Sequence, residues 1–343
     1  MSELHEPATD NQPDVPPAPE PANLSLAIQP AVSVALWQNH VPVLSELVFR
    51  AGDQAPGEVE ISLFCDPPVI RPRTWRLASV AAKQIRPIAD LDIGLDGPFL
   101  SSLTEATRAV VRVVATANGT TLAEIQQDVR ILAHNEWGGC AGIPDILAAF
   151  VEPNDPAVAR ILRATSDKLR GAGKPDGLEG YQSGNKQRAW EQAEALWRAI
   201  CALDIRYVNP PTSFERDGQK IRPPRQILED RLGTCLDLAV LFAACLESIG
   251  LRPVIVLIRE HAFVGLWLSK HDFGASRADD APGLRPRVAL PDIVLFEATH
   301  AVGSNRTGFK RACEAVAARV TPVLDVVVQA VIHVETGRRS RRA

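Results

Sequence analysis

Residues 231–268, RLGTCLDLAVLFAACLESIGLRPVIVLIREHAFVGLWL, constrain this chain more than any other stretch. Leu238, Leu241, Phe242, Cys245, Leu246 and Ile249 recur at three- and four-residue intervals, the signature of a core-facing helix. Thr234, with Asp237 three residues on, marks its start, and Gly250 marks its end. Cys235 therefore falls in the first helical turn, where the positive end of the helix dipole favours a thiolate. Beyond Gly250 the pattern turns β-rich: Val254-Ile255-Val256-Leu257-Ile258, a short turn, then a second strand opened by His261. A later run, Ile293-Val294-Leu295-Phe296-Glu297-Ala298-Thr299, offers one acid in an apolar setting, Glu297.

A cysteine at a helix start and a histidine on a nearby strand form a thiol nucleophile–base pair. A third group is needed to orient the imidazole, and a lone acid in an apolar strand is costly without such a partner. On this reading Cys235 attacks a carbonyl, His261 takes the thiol proton and later donates it, and Glu297 fixes the imidazole tautomer. The backbone N–H of Cys235 supplies one oxyanion donor, and Gln219 is the candidate for a side-chain donor, with Gln226 behind it. Cys245 reads as a small hydrophobe and Asp237 as a helix cap rather than a catalytic acid. His300 follows the acid instead of preceding it and is set aside as base, and His271 and Asp272 read as solvated loop residues.

At these residues the chain resembles the transglutaminase-like branch of the papain-type cysteine proteinase superfamily. That signature is a G-x-C at the start of a long helix, an H-A-aromatic opening a strand, and an Asp-x-Thr on the next strand. Here it stands as Gly233-Thr234-Cys235, His261-Ala262-Phe263 and Glu297-Ala298-Thr299, with Glu in place of Asp, which keeps the charge and lengthens the arm. Within the superfamily the chain looks most like bacterial intracellular members found alone or fused to helicase-like proteins. They share the phrases His134-Asn135-Glu136-Trp137-Gly138-Gly139, Gly218-Gln219-Lys220-Ile221-Arg222 and Gly233-Thr234-Cys235-Leu236-Asp237-Leu238-Ala239. The resemblance spans 24–318 and implies a cysteine peptidase acting on a protein or peptide substrate, without cofactor or metal. The superfamily also holds protein crosslinkers, deamidases and glycanases, which these motifs do not separate. A reading from another class is a non-catalytic or regulated interaction module beside a helicase- or nuclease-type partner, in defence.

The 343 residues suffice for two domains. The expected class is α+β: an N-terminal immunoglobulin-like β-sandwich followed by a transglutaminase-like, papain-like cysteine proteinase domain. The expected boundaries are a disordered linker at 1–23, the sandwich at 24–133, the proteinase domain at 134–334 and a basic tail at 335–343. The sandwich rests on strand-like runs at 32–36, 43–49, 59–64, 74–80, 110–115 and 125–132 with turn residues between them. Asn118-Gly119 predicts a type I′ hairpin, and Trp37 and Trp75 are expected in its core. His134 and Glu136 are assigned to the domain junction. Helices are predicted at 143–151, 157–170, 186–203 and 309–320, the third carrying Trp190 and Trp197 a heptad apart for helix packing. The segment 322–334 reads as helix or strand, and the polar 269–286 as a connection overhanging the site.

A net charge of −4 gives no footprint for direct nucleic-acid binding. Six cysteines without a CxxC argue against a zinc site and a disulfide framework. The acidic, proline-rich start is no signal peptide, and no run of about 18 apolar residues predicts a membrane span. The expected compartment is the cytoplasm.

Overall fold

The computed structural model describes residues 19–270, 293–320 and 328–335, an α+β chain. Most of the expected linker, the polar connection from His271 and Asp272 on, the start of the 322–334 segment and the basic tail beyond Glu335 lie outside the described residues. The described chain divides into two compact units. One is built from 19–28, 44–93 and 110–127, the other from 29–43, 94–109 and 128 onward.

The strands of the first 131 residues are β1 (Asn23–Ile28), β2 (Ala31–Val32), β3 (Leu44–Arg50), β4 (Gly57–Asp66), β5 (Arg73–Val80), β6 (Ile85–Pro87), β7 (Thr107–Ala117) and β8 (Thr120–Ile131). The first unit holds an antiparallel sheet in the order β1-β3-β6 and a second in the order β8-β7-β4-β5. Alternation sets the faces: Val59, Ile61 and Leu63 of β4 are fully buried, while Phe64, which points to the opposite face, is 47% exposed. Ile61 lies opposite Trp75 on one side and Ala115 on the other. Asn118 and Gly119 join β7 to β8 with φ of 49° and 79°, the two positive values that a type I′ turn requires.

The 32–36 run is not a strand. In the second unit only Ala31–Val32 pairs, parallel to the end of β8. Ser33 then accepts a hydrogen bond from Leu36 N at 3.3 Å and caps a helix, α1 (Val34–Gln38). Trp37, on that helix, is 39% exposed, whereas Trp75 is buried as expected.

The second unit continues with α2 (Gly97–Ser102), β9 (Glu136–Trp137) and a 3-10 turn over Pro144–Phe150 in place of the helix expected there. Then come α3 (Pro156–Gly171) and α4 (Lys186–Cys201), followed by β10 (Arg206–Tyr207), α5 (Phe214–Asp217), β11 (Gln219–Lys220), α6 (Pro224–Asp230) and β12 (Leu232–Gly233). The central helix is α7 (Cys235–Ser248), followed by β13 (Pro253–Ile258), β14 (His261–Trp267), β15 (Ile293–Phe296), α8 (Phe309–Val320) and β16 (Val328–His333). In the described part of the 322–334 segment, read as helix or strand, Val328–His333 is a strand.

The four long strands form one antiparallel sheet, order β15-β14-β13-β16. One face, with Ile255, Leu257, Val264 and Phe296, joins the core around α7. The other, with Val254, Val256, Phe263 and Trp267, packs with Val316 of α8. Coverage on both faces explains why these strands read as unbroken apolar runs. Every residue from Cys235 to Leu246 of α7 is buried, as befits a helix apolar on all sides. Trp197 of α4 stands 5.7 Å from Phe242 of α7 and 5.8 Å from Phe296 of β15, with Phe309 of α8 at 5.7 Å. Trp190 meets the same Phe309 at 4.9 Å, so the heptad pair packs as anticipated. Among the described residues, no helix is long and apolar enough to cross a membrane.

Candidate active site

The start of α7 is held by a buried polar network. Thr234 Oγ1 accepts from Asp237 N at 3.2 Å while the Asp237 carboxylate accepts from Thr234 N at 2.9 Å, a reciprocal capping box. Asp237 is fully buried, and its charge is met by Arg222, which donates its backbone N–H at 2.9 Å and Nη1 at 2.8 Å. Asp237 is thus engaged as a cap. The same contacts dock the 218–222 phrase onto the helix start and bring Gln219 Nε2 to Thr234 Oγ1 at 3.0 Å.

The 134–139 phrase locks onto the 218–222 phrase. Gln219 and Lys220 pair antiparallel with Trp137 and Glu136. Ile221 N donates to Asn135 O at 2.7 Å. Glycine is required where the two segments cross. Gly218 has φ +86°, and a Cβ there would lie 2.0 Å from Trp137 O; at Gly139, φ +78°, it would lie 2.1 Å from Arg216 O. His134 donates its ring Nδ1–H to Leu103 O at 2.9 Å, and Glu136 accepts from Ala133 N at 3.1 Å and pairs with Arg130. All these residues belong to the second unit.

β13 and β14 form a hairpin closed by Arg259 and Glu260, with Ile258 opposite His261 and Glu260 at φ +55°. β15 pairs with β14 through Val264 and Phe296, so Glu297 emerges one residue past Phe296, near the strand end that carries His261. His261 Nε2 meets Glu297 Oε2 at 2.8 Å. The other carboxylate oxygen of Glu297 accepts from Thr299 N at 3.2 Å and Thr299 Oγ1 at 2.7 Å, so the Glu-x-Thr spacing orients the acid. With Nε2 taken by Glu297, Nδ1 is the nitrogen that remains to face the Cys235 thiol, which lies near enough to help hold the ring's charge. The edge of the His261 ring meets Phe263 at 4.9 Å, fixing its plane.

Burial alone works against charging His261, but hydrogen bonds and charge from Cys235 and Glu297 outweigh it and hold its pKa up at about 9. Burial likewise works to raise Glu297, yet its bonds from His261 and Thr299 hold the carboxyl below its usual range. Cys245, ten residues along the same helix, meets only apolar surroundings, and burial pushes its thiol far up.

A cleft of about 1100 Å³ opens onto His261 and Glu297, its walls including Arg206, Tyr207, Arg259 and His300, with the buried Cys235 behind them. Of the residues expected to act, Cys235, His261 and Glu297 are brought together. Gln219 lies beside them but is 4% exposed and bonded to Thr234. Gln226 bonds Asp230 within α6 at 3.1 Å. His300 lines the cleft, while the Glu297 carboxylate is bonded to His261.

Tyr207 escaped notice in the sequence, where 206–211 reads only as loop. It pairs with Gly233 in the parallel β10–β12 ladder, which sets its phenol close enough to Cys235 for that thiol to act on it. Burial raises its phenol well above the ordinary range, and the neighbouring Cys235 adds to this. The available signal was its rarity, as one of two tyrosines in the chain, within the β-prone Arg206-Tyr207-Val208.

Chemically, the arrangement can take a proton from a thiol, hold it on an oriented imidazole and return it to a leaving group. The chain matches no protein-family model and no curated protein.

Proposed function

We propose that this chain is a thiol-dependent acyl-transfer enzyme, a cysteine peptidase of the transglutaminase-like, papain-type kind acting on a protein substrate. On the same reading the first unit is an immunoglobulin-like sandwich that serves as scaffold or docking module. The carrying observation is the Cys235–His261–Glu297 group, with Nε2 of His261 bonded 2.8 Å from Glu297 Oε2 and its other nitrogen left to the thiol. All six cysteines are unbridged, which supports placing it in a reducing compartment, the cytoplasm.

The thiol proton passes to His261, and the sulfur attacks the substrate carbonyl, forming an S–C bond as the π pair moves onto oxygen. That pair returns as the C–N bond breaks, and the imidazolium gives its proton to the departing amine. Water then attacks the thioester, losing a proton to His261, and the acid leaves as sulfur takes that proton back. Glu297 stays ionised throughout and stabilises the imidazolium.

The test is iodoacetamide labelling at pH 7, with each cysteine read by peptide mass spectrometry, together with casein hydrolysis by the full chain. Cys235 should label ahead of the buried Cys245, and hydrolysis should vanish in Cys235→Ala. Unreactive Cys235, or hydrolysis that survives its removal, would sink the reading.

A further inference from the structure

Attack at a carbonyl needs two donors for the oxygen that becomes negative. The backbone N–H of Cys235, the first residue of α7, is one, since its helix offers it no partner. Gln219 is the obvious second, but it is 4% exposed, one N–H of its Nε2 is spent on Thr234 Oγ1 at 3.0 Å, and it does not stand in the cleft wall with His261. Tyr207 is placed differently. The β10–β12 ladder sets it opposite Gly233, with Val208 N donating to Gly233 O at 3.0 Å and Arg206 N to Arg231 O at 2.8 Å. Its Cα is therefore fixed two residues from the nucleophile. The ring is 38% exposed and lines the cleft beside His261, whereas Cys235 is fully buried.

The geometry points to Tyr207 as the second oxyanion donor of the reaction: its hydroxyl caps the resting sulfur and passes to the carbonyl oxygen as the S–C bond forms. This assignment rests on the thiol-enzyme reading of the same site. The transfer demands little movement. A carbonyl oxygen on a carbon bonded to Sγ lies within about 3 Å of that sulfur, so a hydroxyl that reaches one reaches the other by a small swing of the ring. No proton leaves the tyrosine: the O–H donates first to sulfur and then to the oxyanion, and the thiol proton resides on His261. The high phenol pKa suits a group that donates and stays protonated.

Two probes of the full chain separate this role from a structural one. Iodoacetamide alkylates sulfur without creating an oxyanion; 4-nitrophenyl acetate acetylates it through one. Tyr207→Phe keeps the ring and removes only the hydroxyl. Acetylation of Cys235 should fall about 100-fold, the loss seen when one oxyanion donor is removed. Alkylation should change by no more than about tenfold, the worth of one neutral hydrogen bond to the sulfur. Equal losses with both probes, or none with either, would overturn the assignment while leaving the thiol enzyme standing. A wild-type Cys235 that takes neither probe overturns both readings.

If Tyr207→Phe folds poorly, 3-fluorotyrosine substituted throughout gives a second test, since the only other tyrosine, Tyr181, donates to Trp267 O at 2.6 Å and does not line the cleft. A more acidic phenol is a stronger donor, so acetylation should quicken relative to alkylation. An unchanged ratio overturns the assignment.

Discussion

Replacing Asp237 with asparagine tests whether this buried acid, two residues from the nucleophile, builds the site or takes part in its chemistry. Its carboxylate has no exposure and accepts three hydrogen bonds, from Thr234 N at 2.9 Å, Arg222 N at 2.9 Å and Arg222 Nη1 at 2.8 Å. An amide of the same shape has one acceptor oxygen, so its NH2 must face an N–H of Thr234 or the Arg222 donors. With its oxygen at the Oδ2 position the amide still accepts from Thr234 N and Arg222 Nη1, and setting its NH2 against the Arg222 N–H costs about 1 kcal/mol. Replacing the charged partner of the guanidinium by a neutral one costs about 2 kcal/mol more. Arg222 keeps partial exposure at 28%, so its own stranded charge adds little. The expected cost is about 3 kcal/mol, a large share of the stability of an ordinary domain.

Urea unfolding followed by tryptophan fluorescence reads this directly, because Trp197 stacks on Phe242 of α7 at 5.7 Å. With a denaturant slope of about 2 kcal/mol per molar, the transition of this unit should move down by about 1.5 M. Arg222→Ala should also destabilise, and the double variant should cost clearly less than the sum, since both changes break the same pair. An Asp237→Asn transition within about 0.5 kcal/mol of wild type, or a fully additive cycle, would refute the reasoning. Unchanged stability with lost Cys235 reactivity would make Asp237 a catalytic group instead.

His261→Ala should slow iodoacetamide alkylation of Cys235 at pH 7 by about tenfold, the effect of about 1.4 kcal/mol of lost thiolate stabilisation; equal rates would refute the pairing. Glu297→Gln should bring the His261 titration down from about 9, read by NMR of its ring protons, because the carboxylate is one of the groups holding it up. The sign for stability follows: with a folded value above the unfolded 6.5, the contribution of the His261 charge is complete below about pH 6.5 and is lost as the pH rises through about 9. Gly218→Ala, with φ +86° and a Cβ 2.0 Å from Trp137 O, should destabilise by about 2 kcal/mol or more in the same urea assay. Trp197→Ala should cost about 4 kcal/mol through the cavity it opens among Phe242, Phe296 and Phe309.

What was legible in the sequence is what local chemistry decides. Thr234 and Asp237 announce the helix start because a capping box is contained within four residues. Asn118-Gly119 announces its turn because both positions must take positive φ. The run at 32–36 misleads because its apolar residues suit strand or helix, and the deciding contact is the Ser33 cap on Leu36. Tyr207 was hidden for a different reason. Its strand is two residues long and its partner, Gly233, lies 26 residues away in a parallel ladder, so no local period betrays it. The 134–139 and 218–222 phrases stand out in the sequence, but the crossing that demands Gly139 and Gly218 joins segments about 80 residues apart.

The charges of the site then explain why its parts are these. Asp237, Glu297 and, once ionised, Cys235 contribute three negative groups within a buried region. Two cations are engaged with them directly: Arg222 is bonded to Asp237, and His261 is bonded to Glu297 with the thiol on its other side, while Arg206 and Arg259 stand in the cleft walls. Arg222 thus balances the capping carboxylate two residues from the nucleophile as well as holding the helix start. One negative charge remains, that of the thiolate, and attack moves it onto the carbonyl oxygen. The groups set beside the sulfur to meet it carry no formal charge: the N–H groups at the start of α7 and the Tyr207 hydroxyl. Such donors can follow the charge from sulfur to oxygen without holding it at either, which a third fixed cation beside the sulfur would not allow.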